Sequence, residues 1–189
     1  MKKIILLFTV IAFIAACSTN TITGRKQLSL YAESTLQQAA VSQYQSFLSE
    51  NKVVNQNISK DAEMVKRVGT RIAQAITSYY AQKGLSKELE GYKWEFNLVD
   101  NKEVNAWCMP GGKVVVYTGL LGITQNEAAL AVVLGHEITH AVAHHGNERM
   151  SQGMLAQGLQ VAGDVLTSNN AKVNSLFNSI YAPGAQIAV

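Results

Sequence analysis

The chain has 189 residues, 48% apolar and 15% charged, which fits one folded domain with a small appendage and excludes a disordered chain. Two cysteines cannot build a disulfide framework or a four-thiolate zinc site. The formal net charge is +3, and without Lys2 and Lys3 the balance is 14 basic to 13 acidic residues with no Lys/Arg run, so no nucleic-acid partner is expected.

Lys2 and Lys3 precede an apolar run from Ile4 to Ala16 that only Thr9 interrupts. A charged start followed by a short apolar stretch reads as a signal peptide, too short for a mature membrane span. Ile14-Ala15-Ala16-Cys17 resembles the bacterial lipoprotein signal, in which the cysteine is acylated and becomes the new N-terminus. Residues 1–16 are therefore expected to be a lipoprotein signal peptide and Cys17 the lipidation site. Residues 17–32, polar and turn-rich, are expected to be a tether. The domain proper is expected at 33–189, in the periplasm and anchored by lipid to a membrane, the outer one favoured. Several acyl chains on one residue give stable anchoring where a single chain is marginal.

Ser34 to Glu50 carries Leu36, Ala40, Val41, Tyr44, Phe47 and Leu48 at helical spacing. Asp61 to Gln82 repeats the pattern with Met64, Val65, Val68, Ile72, Ala75, Ile76 and Tyr79. The period then changes. Tyr92 to Val99 alternates and predicts a strand, Glu103 to Met109 a second, and Lys113 to Thr118 a third. Pro110-Gly111-Gly112 is a turn, so short connections predict a three-stranded antiparallel meander. Cys108 reads as a small buried hydrophobe. Asn126 to His145 predicts a helix whose first half is apolar on every side. Asn147 to Thr167 and Ala171 to Tyr181 predict two more.

His136-Glu137-Ile138-Thr139-His140 is an H-E-x-x-H motif within a predicted helix. Residues four apart share a helical face, so both imidazoles can address one ion. Neutral imidazole is a good zinc ligand, which makes His136 and His140 the metal-binding candidates. Glu137 points to the side, where it can take a proton from a zinc-activated water as general base and return it to the leaving amine. An extended metzincin motif would need Gly at 143 and a ligand at 146, where the chain has Ala143 and Gly146. His144 and His145 read as solvated or capping groups.

Asn105-Ala106-Trp107, Pro110-Gly111-Gly112, Tyr117-Thr118-Gly119-Leu120-Leu121 and Asn126-Glu127-Ala128 follow in order before the motif. That order resembles the HtpX-like zinc metallopeptidases, the family related to the CAAX prenyl proteases, over about residues 60–150. Thr23 to Leu30 resembles the N-terminal segment of its bacterial lipoprotein members. The resemblance implies a gluzincin-type, zincin-like α+β fold, mostly helical, with the active helix beside a small sheet. It implies zinc on His136 and His140, catalysis by Glu137, and a cleft bordered by the strand with Asn105 and Ala106, where an extended polypeptide substrate can pair. It further implies a metalloendopeptidase acting on envelope or misfolded proteins. That family takes a third zinc ligand from a glutamate on a later helix, in a glutamate-x-x-x-aspartate pattern. After Glu137 the acidic residues are Glu148 and Asp164, neither in such a pattern; Glu148 is expected on the same helix as His140, and Asp164 is a conceivable ligand at a suitable separation. The sequence is thus expected to be truncated, its third ligand lying beyond Val189. Two imidazoles and water make a poor tetrahedral site. The alternative is an inactive chaperone-like or binding lipoprotein that keeps the protease fold.

Overall fold

The computed structural model describes residues 17–156 and 170–181, so the expected signal peptide lies outside the described residues, as do Asp164 and much of the helix expected to reach Thr167. The chain divides into two compact units. One is Gln37–Val142, and the other joins the chain up to Leu36 with the chain from Ala143 onward. No described helix is long and apolar enough to cross a membrane.

The Gln37–Val142 unit is α+β with three layers. Helix α1 (Glu33–Glu50) brings its part from Gln37 onward to this unit, followed by α2 (Lys60–Gln82), which starts where Ser59 accepts a bond from the Ala62 amide. After a 3-10 turn (Ser86–Leu89) come β3 (Glu95–Val99), β4 (Ala106–Met109), β5 (Lys113–Tyr117), α3 (Thr118–Thr124) and α4 (Glu127–Val142). Phe96, Leu98, Ala106, Cys108, Val114 and Val116 face α2 and α4 and form the core with Val65, Val68, Leu130, Leu134 and Ile138. On the opposite face, Tyr44 and Phe47 of α1 meet Trp107 edge-on, and Phe47 stacks on Tyr117.

The sheet is mixed, not the antiparallel meander expected. Its order is β3-β5-β4, with β5 antiparallel to β4 and parallel to β3. The Gly111-Gly112 turn, at φ of 78° and 82°, folds β5 back on β4 as a hairpin. β5 has both faces buried, so it takes the centre, and β3 joins its far side. The outer border of β3 is sealed by the preceding chain. Val54 donates to the Leu98 carbonyl (2.8 Å), Asp100 to that of Lys52 (2.9 Å), and Gln56 Nε2 to that of Phe96 (2.8 Å). The outer border of β4 pairs with no strand among the described residues.

The second unit contains a surprise for the tether reading. β1 (Cys17–Thr19) and β2 (Lys26–Leu28) form an antiparallel hairpin, with Cys17 opposite Leu28. Buried Asn20 shapes its turn by accepting from the amides of Ile22 (3.0 Å) and Thr23 (2.9 Å) while donating to the Ala143 carbonyl (3.0 Å). The chain then runs along α5 (His145–Ala156). Both guanidinium nitrogens Nη1 and Nη2 of Arg25 bond the Glu148 carboxylate. The Leu30 amide donates to Ser151 Oγ (2.9 Å), and Tyr31 Oη to Met154 Sδ (3.5 Å). Asn147 Nδ2 donates to the Tyr31 carbonyl (2.9 Å) and to Glu33 Oε1 (2.7 Å), and its Oδ1 accepts from Ser151 Oγ (3.2 Å). Such polar residues look solvated in a sequence, but pairing with α5 lets them go inside. Helix α6 (Asn170–Tyr181) completes this unit.

Candidate active site

Helix α4 starts where Asn126 Oδ1 accepts from the Ala129 amide at 2.9 Å. Leu130, Leu134, Ile138 and Ala141 recur every three or four residues and are buried against the sheet. Each such large side chain contributes about 1.5–3 kcal/mol of apolar burial, which fixes the helix in rotation. The opposite face is open, with Val132 74% exposed one turn before His136. The expectation of an all-round buried first half is thus met on one side only.

The fixed rotation sets the roles of the motif. His136 is exposed and His140 half-buried, and their Nε2 atoms approach to 3.0 Å with ring planes at 87°. Two nitrogens bound at 2.0–2.1 Å to one tetrahedral ion lie about 3.3–3.4 Å apart, so this pair fits zinc after opening by a few tenths of an ångström. Glu137, turned about 100° around the helix axis, is 3% exposed and faces the sheet. Cys108 on β4 is its neighbour there. Burial and then the Glu137 charge push the Cys108 thiol far above its usual range, so it stays protonated. Tyr92 Oη donates to the Ala141 carbonyl (3.1 Å) and caps the last turn beside His140. The sequence reading placed Cys108 in the core, where it is, but missed its position beside Glu137 and missed Tyr92. Only the strand register carries the first of these.

Of the border residues, Asn105 turns its carbonyl inward to the Tyr117 amide (3.0 Å). Antiparallel pairs alternate, so the N–H and C=O of Ala106 and Cys108 point away from β5, toward the outer border. The helix expected to run on from His140 stops at Val142. His144 adopts a left-handed φ of 57°, and α5 begins at His145, which places Glu148 on a separate helix engaged with Arg25. His144 Nδ1 lies 3.1 Å from Glu33 Oε1, and burial holds the His145 imidazole below its usual value. Among the described residues no group of three or more His, Cys, Asp or Glu side chains is placed to hold a metal.

The profile of peptidase family M48 matches residues 59–187. The chain belongs to this family. The mitochondrial metalloendopeptidase OMA1 of Bos taurus is 31% identical over 147 residues, 77% of this chain and 27% of the relative. Its counterpart in Arabidopsis thaliana is 43% identical over 76 residues, 40% of this chain and 16% of that protein. The beta-barrel assembly-enhancing protease of Yersinia pestis is 44% identical over 52 residues, 28% of this chain and 11% of the relative. The M48 chain therefore spans only about a quarter or less of these relatives. Its M48 match includes the whole H-E-x-x-H helix and the three-stranded sheet beside it.

Proposed function

We propose that this M48 chain is the catalytic part of a zinc-dependent metalloendopeptidase that cleaves envelope or misfolded polypeptides. One observation carries the reading: two imidazole Nε2 atoms converge at 3.0 Å on an open helix face while the intervening carboxylate is buried against the sheet. His136 and His140 hold the ion. Bound there, zinc would supply Lewis acidity toward water and the peptide carbonyl. Glu137 takes the proton of the attacking water and returns it to the leaving amine. A substrate in extended form pairs its backbone with the outward N–H and C=O of Ala106 on the border of β4, with Asn105, whose carbonyl is spent on Tyr117, beside the pairing groups, which suits recognition independent of side chains. Motif order from Asn105 to Leu121 supports an HtpX-like subgroup, and the Ala15-Ala16-Cys17 signal supports a bacterial lipoprotein facing the periplasm.

The test is Glu137→Gln in the full-length protein. Digestion of casein falls by about 100- to 10,000-fold, the usual contribution of a general base, while bound zinc stays near one per chain. A variant that digests casein as fast as the parent removes Glu137 from the role. A folded protein that takes up no zinc at micromolar supply favours instead a binding lipoprotein without turnover.

A further inference from the structure

A lipid anchor and a folded body can be joined by a leash or by a mount. As a free chain, residues 17–32 would reach about 50 Å from the bilayer. The structure leaves no such length. Cys17 is already the first residue of β1, and the chain from Asn20 to Glu33 is fastened along residues 143–154 by bonds that span more than a hundred positions of sequence. Asn147 and Ser151 are essentially inaccessible to solvent, so peeling the segment away would strand buried donors and acceptors.

We propose that Cys17–Glu33 is a rigid mount that seats the unit formed by the chain ends directly against a lipid bilayer. The inference rests on acylation of Cys17, put forward above. With acyl chains on the first residue of β1, no free residue separates the bilayer from hydrogen-bonded backbone. The partner is the membrane surface itself, and the unit stands at headgroup level instead of sampling the surrounding fluid.

Two measurements on the full chain test it. In a soluble Cys17→Ser form, the Gly24 and Leu30 amides, bonded to the Asn20 carbonyl and Ser151 Oγ, exchange hydrogen on the order of 100-fold more slowly than an exposed loop amide. Exchange at the loop rate overturns the mount whatever becomes of Cys17. In the acylated form on phosphatidylethanolamine–phosphatidylglycerol vesicles, a donor dye on Asn174→Cys, an exposed site of α6, transfers strongly to acceptor lipids. A long Gly/Ser insert between Cys17 and Ser18 lowers that transfer. A native chain that transfers no better than the insert variant overturns the proposal. The mass of the N-terminal peptide reports acylation separately, and an unmodified Cys17 sinks both the bilayer contact and the lipoprotein reading.

Discussion

Replacing Gly119 with alanine isolates one contact that holds β4 in place. The loop before β4 wraps the first turn of α3. Thr118 Oγ1 and the Gly119 amide both donate to the Asn101 carbonyl, at 2.8 and 2.9 Å, and the Glu103 amide donates to Asn101 Oδ1 at 2.9 Å. A Cβ on Gly119 would stand 2.2 Å from the Lys102 carbonyl oxygen and 2.4 Å from that of Glu103. Both are backbone atoms of a tied loop, so no side chain can swing aside. Overpacking of this kind costs about 1–3 kcal/mol, and the rigidity of the loop puts Gly119→Ala near the upper end. Gly122 lies in the same helix, and a Cβ there meets nothing within 4 Å. Alanine at that position stabilises by about 0.5–1 kcal/mol through the helix preference alone. The helix preference cancels between the two, so the variants should differ by about 2–3 kcal/mol in urea unfolding, or roughly 4–12 °C in Tm for a chain of this size. Equal stabilities for the pair would refute the reasoning, since helix preference acts on both and only the loop contact separates them.

Leu134→Ala removes a fully buried side chain from the face of α4 that fixes the motif's rotation. A loss of about 2–5 kcal/mol is expected on denaturant titration, and a loss below 1 kcal/mol would mean the helix is not anchored there. The Arg25–Glu148 contact is an acid-sensitive pair. Hydrogen bonds from Arg25 hold the Glu148 carboxyl below its usual 4.5, with burial opposing. A depressed carboxyl value contributes stability that is complete above the unfolded value and is lost as pH falls through the folded one. The stability gap between the parent and Arg25→Ala is thus expected at pH 7 and closes below about pH 4.5. A gap of the same size at pH 7 and pH 3 would assign the effect to packing alone.

The helical patterns at Ser34–Glu50 and Asp61–Gln82, the start of the one at Asn126 and the three strands of the mixed sheet were legible because their apolar spacing follows burial. The order of the strands was not, because sequence neighbours favour a meander. A signal was nevertheless present: Val114-Val115-Val116 does not alternate, as befits a strand buried on both faces. The hairpin at Cys17–Leu28 was hidden because Asn20, Arg25 and Gln27 look like loop residues until α5 supplies their surroundings. The end of α4 at Val142 was hidden too, since no Gly or Pro marks it and the break falls on a left-handed His144. The approach of the two imidazoles and the different heading of Glu137 were legible as geometry, because a five-residue spacing on a helix sets those directions without help from the rest of the chain.

The flanks of the small sheet are unequal. The segment before α2 bolts one flank shut, so the sheet can lengthen in a single direction only. Among the described residues, a fourth strand of any sequence or origin has only the Ala106–Met109 flank left to join, on the strand whose Cys108 senses the Glu137 charge. An extended chain that joins this sheet therefore has one docking direction, set by backbone pairing already spent on the other flank.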